Sequence, residues 1–142
     1  MKYLLDTCVI SELTRKQPSD AVLDWISAQE EENYFLSSLT IGELKKGIAR
    51  FPPSHKKMTL QAWLDQDMRQ RFAGRILSID IEVAEQWGLI CAHAEKQGLS
   101  LPVVDGLIAA TALAHGLIVV TRNTSDMEPS GVPLLNPWEK GK

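Results

Sequence analysis

Cysteine is scarce in this chain of 142 residues: Cys8 and Cys91 stand far apart and form no C-x-x-C pair. That excludes a disulfide framework and a cysteine zinc site. Histidine is equally sparse, and His55, His93 and His115 form no H-E-x-x-H or other metal-ligand spacing. No uninterrupted apolar run reaches a membrane-spanning length, because residues 98–121, the nearest approach, are broken by Pro102, Asp105, His115 and Gly116. Asp6 arrives too early for a signal peptide. These absences predict a reducing, cytoplasmic setting with no membrane contact. An excess of base is missing too. With 15 Lys and Arg against 18 Asp and Glu, the net charge of −3 argues at first against bulk attraction to nucleic acid.

What is present is an ordinary globular chain, 44% hydrophobic and 23% charged, long enough for one domain over residues 1–142. Short apolar runs at 3–5, 34–36, 76–79 and 117–120 read as strands. Between them, helical periodicity predicts helices over 9–15, 20–29, from 39 to the Pro52-Pro53 stop, 55–74, 81–97 and 104–115. Leu134-Leu135 adds a candidate edge strand. Alternation of strand and helix implies parallel pairing, and hence an α/β fold: a central, mostly parallel sheet flanked by helices.

The informative residues are acids standing alone in apolar surroundings. Asp6 is the only charge between Lys2 and Glu12, Glu43 the only one between Glu32 and Lys45, and Asp105 the only one between Lys96 and Arg122. A carboxylate near a core is costly to ionise unless something pairs with it. Each has a local reading as well: Asp6 as a helix cap, Thr40 and Glu43 as a capping box, Asp105 as a charge at a helix start. Their joint placement is more specific. In a parallel sheet the carboxyl ends of the strands share one edge, and all three acids follow a strand or open a helix there. Asp126, in the polar loop after the fourth strand, leaves the same edge, although an Asx-turn also accounts for it. Four converging carboxylates repel, and a divalent cation resolves the conflict. Oxygen-only ligands select Mg²⁺ or Mn²⁺ over Zn²⁺.

At these residues the chain resembles the PIN domain, and within it the VapC-type toxins of the FitB-related branch. The resemblance rests on Leu4-Leu5-Asp6-Thr7, on Ser38-Leu39-Thr40-Ile41-Gly42-Glu43-Leu44, and on the block from Pro102 through Asp105 to Ala112. It continues through Val119-Val120-Thr121-Arg122-Asn123 with Asp126, and through the tail from Gly131 to Trp138. It implies a small α/β nuclease fold and a metal-dependent endoribonuclease, the toxin of a toxin–antitoxin pair. Asp6, Glu43 and Asp105 match the family's metal-binding acids and Asp126 its more variable fourth; Thr7, Thr121 and Asn123 flank them. Met127 departs from the pattern, an aromatic residue being common there. The resemblance further implies a homodimer held inactive by a cognate antitoxin, with DNA bound mainly through the antitoxin.

The chemistry expected of such a site is in-line attack of water on an RNA phosphodiester with Mg²⁺ or Mn²⁺ as Lewis acid, leaving a 5′-phosphate and a 3′-hydroxyl. No Ser-His or Cys-His constellation offers a protein nucleophile instead. Cations for the RNA are expected from Lys45, Lys46, Arg50, Lys56 and Lys57, a stretch without an acid between Glu43 and Asp65, and from Arg15-Lys16. A solvated helix face is the plainer account of the same stretch. Two other classes compete. An aspartate-based phosphatase or phosphoacceptor also places Asp after its first strand, but Asp6-Thr7-Cys8 lacks the second acid of Asp-x-Asp. A catalytically silent nucleic-acid-binding or regulatory PIN module acting with an antitoxin is expected to have lost acids, and here all four remain. Setting those four aside from the 18 leaves 14 acids against 15 Lys and Arg, so the bulk charge no longer speaks against RNA.

Overall fold

The computed structural model describes residues 1–139; the last three residues of the predicted domain lie outside the described residues. The first strand, β1 (Tyr3–Leu5), consists of three buried residues and leads into α1 (Thr7–Leu13) and α2 (Asp20–Ala28). β2 (Tyr34–Ser37) is followed at once by α3 (Ser38–Ala49). The next helical stretch opens as α4 (His55–Ala62), widens into a π-helical segment at Trp63–Met68 and closes as α5 (Arg69–Arg71). β3 (Ile76–Leu77), the long α6 (Ile81–Lys96), α7 (Val103–His115) and β4 (Ile118–Val120) complete the central part. A short α8 (Thr124–Met127) precedes β5 (Leu134–Leu135).

The five strands form one sheet in the order β3-β2-β1-β4-β5, and every neighbouring pair is parallel. The expected α/β fold with a parallel sheet is therefore present, and the candidate strand at Leu134-Leu135 is its parallel edge. The chain's first strand lies at the sheet's centre. Helices cover both faces, which explains why the strands are apolar throughout rather than alternating. Even so, their side chains divide by face. Tyr3, Leu5, Tyr34, Leu36 and Val120 join a core with Val9, Ile10, Val22, Leu44, Leu64, Met68 and Phe72. Leu4 and Val119 join the other, with Val83, Ile90, Ile108, Ala109, Ala112 and Met127. Met127 is thus fully buried core, and its departure from the family pattern is a matter of packing.

Three local expectations need correction. α1 begins at Thr7, two residues earlier than expected, because the Asp6 carboxylate accepts the Thr7 N–H and starts the helix directly after β1. The predicted helix over 55–74 is one stretch only as far as Arg71 and contains a π-helical segment, with Leu64 and Met68 both in the core. The Thr40–Glu43 capping box does not form. α3 starts earlier, with Ser37 as its N-cap accepting the Leu39 N–H, so Thr40 lies inside the helix and is fully buried. α7 ends where expected: Gly116 takes the left-handed conformation (φ 67°), which glycine adopts without steric cost.

Candidate metal and phosphodiester site

β1 and β4 pair in the middle of the sheet, so the residues just past their carboxyl ends, Asp6 and Thr121, meet. Asp6 is buried, and both its oxygens are held. Oδ1 accepts the Thr7 N–H at 2.8 Å, and Oδ2 accepts the Thr121 hydroxyl at 2.8 Å. Thr121 is itself fixed, because its Oγ1 accepts the Asn123 N–H at 3.0 Å. The side chain of Asp6 thus has little freedom. Burial pushes its carboxyl above the usual range, the bonds from Thr121 and Thr7 pull it back, and the charge of Glu43 raises it again.

Glu43 reaches the same place from the exposed face of α3. Its Oε1 accepts the Thr7 hydroxyl at 2.5 Å, and Thr7 Oγ1 lies 3.3 Å from Thr40 Oγ1. Thr7 therefore links the start of α1 to the acid of α3. Asp105 stands in the first turn of α7. The turn can sit close to α6 because Gly106 presents no side chain: a Cβ there would lie 3.2 Å from Leu101 and 3.3 Å from Trp87. Asp105 is pushed up to about 6, first by burial and then by the charges of Asp6, Asp126 and Glu43. Each of the charges that raise it is another acid of the set. Asp126 enters from α8, exposed, its N–H bonded to the Asn123 carbonyl at 3.2 Å.

The donor chemistry fits a hard divalent cation, since Asp6, Glu43, Asp105 and Asp126 offer carboxylate oxygens and the charges of the other three act on Asp105. Among the described residues, no three of the His, Cys, Asp and Glu side chains stand close enough as placed to close around a single ion. Past the carboxyl edge of the sheet, Asp6 is buried, Asp105 half-buried, and Glu43 and Asp126 are exposed. A cavity of about 700 Å³ between Trp25, Leu135 and Asn136 lies elsewhere and is lined by none of the four acids.

The structure adds Cys8, which sequence reasoning dismissed after finding no cysteine motif. Because α1 starts at Thr7, the thiol turns toward the site, 3.8 Å from Asp6 Oδ2 and 3.5 Å from Thr121 Oγ1, and it accepts the Arg122 N–H at 3.4 Å. Burial, and then the charge of Asp6, push its pKa up, so at neutral pH it packs as a thiol. The cations divide. Arg15 pairs with the buried Glu12 at 3.2 Å, and Lys45 pairs with Asp65 at 3.0 Å, so both already have acidic partners. Lys16, Lys46 and Arg50 are exposed, and among the described residues Lys46 and Arg50 have no ion pair.

The lock on Asp6 makes a direct test. Thr121→Val keeps the side-chain shape but removes the hydroxyl from both Asp6 and Asn123. Leaving a buried acceptor unsatisfied costs about 1–3 kcal/mol, to be read as a lower Tm. Partners that orient a metal-binding carboxylate are typically worth about 10- to 100-fold in metal affinity or activity, to be read as the Mg²⁺ concentration giving half-maximal cleavage.

Comparison with known families matches residues 3–127 to the PIN domain. The VapC ribonuclease Y4jK of Sinorhizobium fredii is 41% identical over 136 residues, covering 96% of this chain and 97% of that protein. The toxin FitB of Neisseria gonorrhoeae is also 41% identical, over 95% of this chain and 97% of its own. Among solved structures, FitAB bound to an IR36 DNA fragment superposes with a TM-score of 0.94 at 37% identity, over 99% of this chain and 98% of that one. The family match runs through α3 and α7, which carry Glu43 and Asp105, and through β1 and β4, which Asp6 and Thr121 directly follow. This chain belongs to the PIN-domain family, in the group that contains the VapC ribonucleases and the toxin FitB.

Proposed function

We infer that the chain is the ribonuclease toxin of a toxin–antitoxin pair, an Mg²⁺- or Mn²⁺-dependent endoribonuclease whose metal-holding residues are Asp6, Glu43, Asp105 and Asp126. The observation that carries this reading is the meeting of Asp6 and Glu43 at Thr7, whose N–H bonds the one and whose hydroxyl bonds the other, with Asp105 and Asp126 in the first turns of α7 and α8. A bound divalent ion would supply Lewis acidity toward the scissile phosphate and lower the pKa of the attacking water. The protein's own share is positional. Thr121 and Thr7 fix Asp6 at the buried end, Thr7 also holds Glu43, and Asn123 holds Thr121. Glu43 and Asp126, exposed at that edge, suit a polymer that must lie across it.

FitAB was solved on DNA, and by analogy we assign this chain a cognate antitoxin, DNA contact through that complex and a homodimeric state. Among the described residues no helix is long and apolar enough to cross a membrane. The test is cleavage of mixed cellular RNA by the purified, antitoxin-free protein. Cutting is expected with Mg²⁺ or Mn²⁺, with arrest by EDTA and products bearing 5′-phosphates. Cleavage that survives the chelator, or a 2′,3′-cyclic phosphate product, overturns the mechanism. The phosphoacceptor alternative instead requires phosphate on Asp6, which mass spectrometry after incubation with acetyl phosphate detects.

A further inference from the structure

On α3 the acid and two of the free cations lie on one line. Glu43, Lys46 and Arg50 fall at i, i+3 and i+7, a single helical face, and all three are exposed. Six residues at 1.5 Å each carry that line about 9 Å from Glu43 to Ala49, the end of α3, with Arg50 as its C-cap and Phe51 next, its N–H on the Ile48 carbonyl. Phe51 is a large apolar side chain left 37% open, with Lys56 Nζ over its ring at 5.2 Å. Lys57 Nζ reaches the Ala49 carbonyl at 3.3 Å and ties the following turn to the end of α3. From residue 45 to 57 the chain carries five cations and no acid; among the described residues, Lys45 alone of the five has an ion-pair partner, Asp65.

Two glycines of the same helix are unexplained by packing. At Gly42 and Gly47 a Cβ would meet no atom within 4 Å, and neither has a positive φ. Glycine inside a helix costs stability relative to alanine, and no neighbour in the protein demands it here. Gly47 lies between Lys46 and Arg50, at i+4 from Glu43, so bare backbone is presented between two cations. Attraction of cations to the helix's C-terminal end accounts for Lys46 and Arg50 but for neither Gly47 nor Phe51. A chain of phosphates pressed close to the helix, with a base at its end, accounts for all four.

We propose that this face of α3 is the track for the unpaired RNA strand leaving the cut, with Lys46 and Arg50 on its phosphates, Gly47 the point of closest approach and Phe51 the platform for a base. The inference rests on the ribonuclease reading and narrows its substrate to RNA that is single-stranded beside the scissile bond. A paired strand cannot offer a base to Phe51.

Two readouts test it. The first is the affinity of the intact protein for a fluorescein-labelled, mixed-sequence, single-stranded RNA in EDTA, followed by anisotropy. The second is KM and kcat on hairpins cut in a loop or in a stem. Phe51→Ala should weaken binding and raise KM roughly tenfold or more, the usual worth of one stacked base, with kcat retained and Phe51→Tyr restoring both. K46Q/R50Q should lower the slope of log affinity against log salt by about 1.4. Gly47→Ala should raise Tm yet weaken binding several-fold, an opposition that a merely structural glycine does not give.

Wild-type affinity and KM in all these variants, from a protein that does cleave RNA, overturns the track and leaves the ribonuclease reading standing. It would then assign the face to a protein partner. Variant-dependent RNA binding without cleavage of any RNA leaves the track standing and removes the ribonuclease. A wild-type protein that neither binds nor cuts RNA removes both.

Discussion

Asp105→Asn should stop RNA cleavage while making the metal-free protein more stable. The two effects share one cause. Asp105 sits half-buried among Asp6, Asp126 and Glu43, and its raised pKa of about 6 records the penalty of placing a fourth negative charge there. Asparagine has nearly the same shape and no charge, so it relieves the repulsion. It also removes an anionic ligand. Losing several kcal/mol of transition-state stabilisation lowers kcat by a factor on the order of 10³. Thermal unfolding and a cleavage assay on one preparation read both. Full activity in this variant sinks the four-acid site, whereas a fall in Tm would show that Asp105 is held by a partner rather than opposed by its neighbours.

The second large effect is a metal-dependent stability that grows with pH. In the unfolded chain Asp105 titrates near its ordinary value of 3.8, and in the folded chain near 6. The folded protein therefore binds the proton more tightly. Below about pH 4 the group is neutral in both states and costs nothing. As pH rises from 4 through 6, the unfolded chain ionises first and the metal-free fold loses stability, fully so above 6. Asp6, also raised, acts in the same direction. The difference in Tm between Asp105→Asn and wild type should thus widen from pH 4 to pH 7 in EDTA. Added Mg²⁺ or Mn²⁺ should close that gap from the wild-type side. At a metal concentration a hundredfold above Kd, the linkage is worth about 2.7 kcal/mol, a rise of several degrees for a chain of this size. A wild-type Tm indifferent to both ions at pH 7 would leave the carboxylates without a ligand to hold.

The strands, their parallel arrangement and the isolation of three acids were legible because each is a pattern along the chain. Asp6, Glu43 and Asp105 were visible as single charges in apolar stretches, whatever their partners. What escaped prediction depends on residues far apart in sequence. Cys8 entered the site only because Asp6 caps α1 and pulls its start to Thr7, a choice between two helix starts that periodicity does not decide. The Thr40–Glu43 box looked right by spacing, yet Ser37 stood in the better capping position, directly at the end of β2. Lys45 looked free because its acid, Asp65, lies 20 residues on, in the π-helical segment. Glu12 gave no sign of burial, since its partners, Arg15 and the Ser19 N–H, form around a turn after α1.

The bond between Thr121 and Asp6 spans 115 positions of the chain, and the strand that leads to Asp6 waits in the centre of the sheet for β4. Contacts of such separation are made late, because the intervening chain must first be ordered. During synthesis Asp6, Glu43 and Asp105 all leave the ribosome before Thr121, so the earliest acid remains unlocked until nearly the whole protein has been made. A truncated or still-growing copy carries three of the four acids without the hydroxyl that orients the first. On such a copy the Asp6 carboxylate has its local bond from the Thr7 N–H, and the bond from the Thr121 hydroxyl to Oδ2 forms when Thr121 joins the fold.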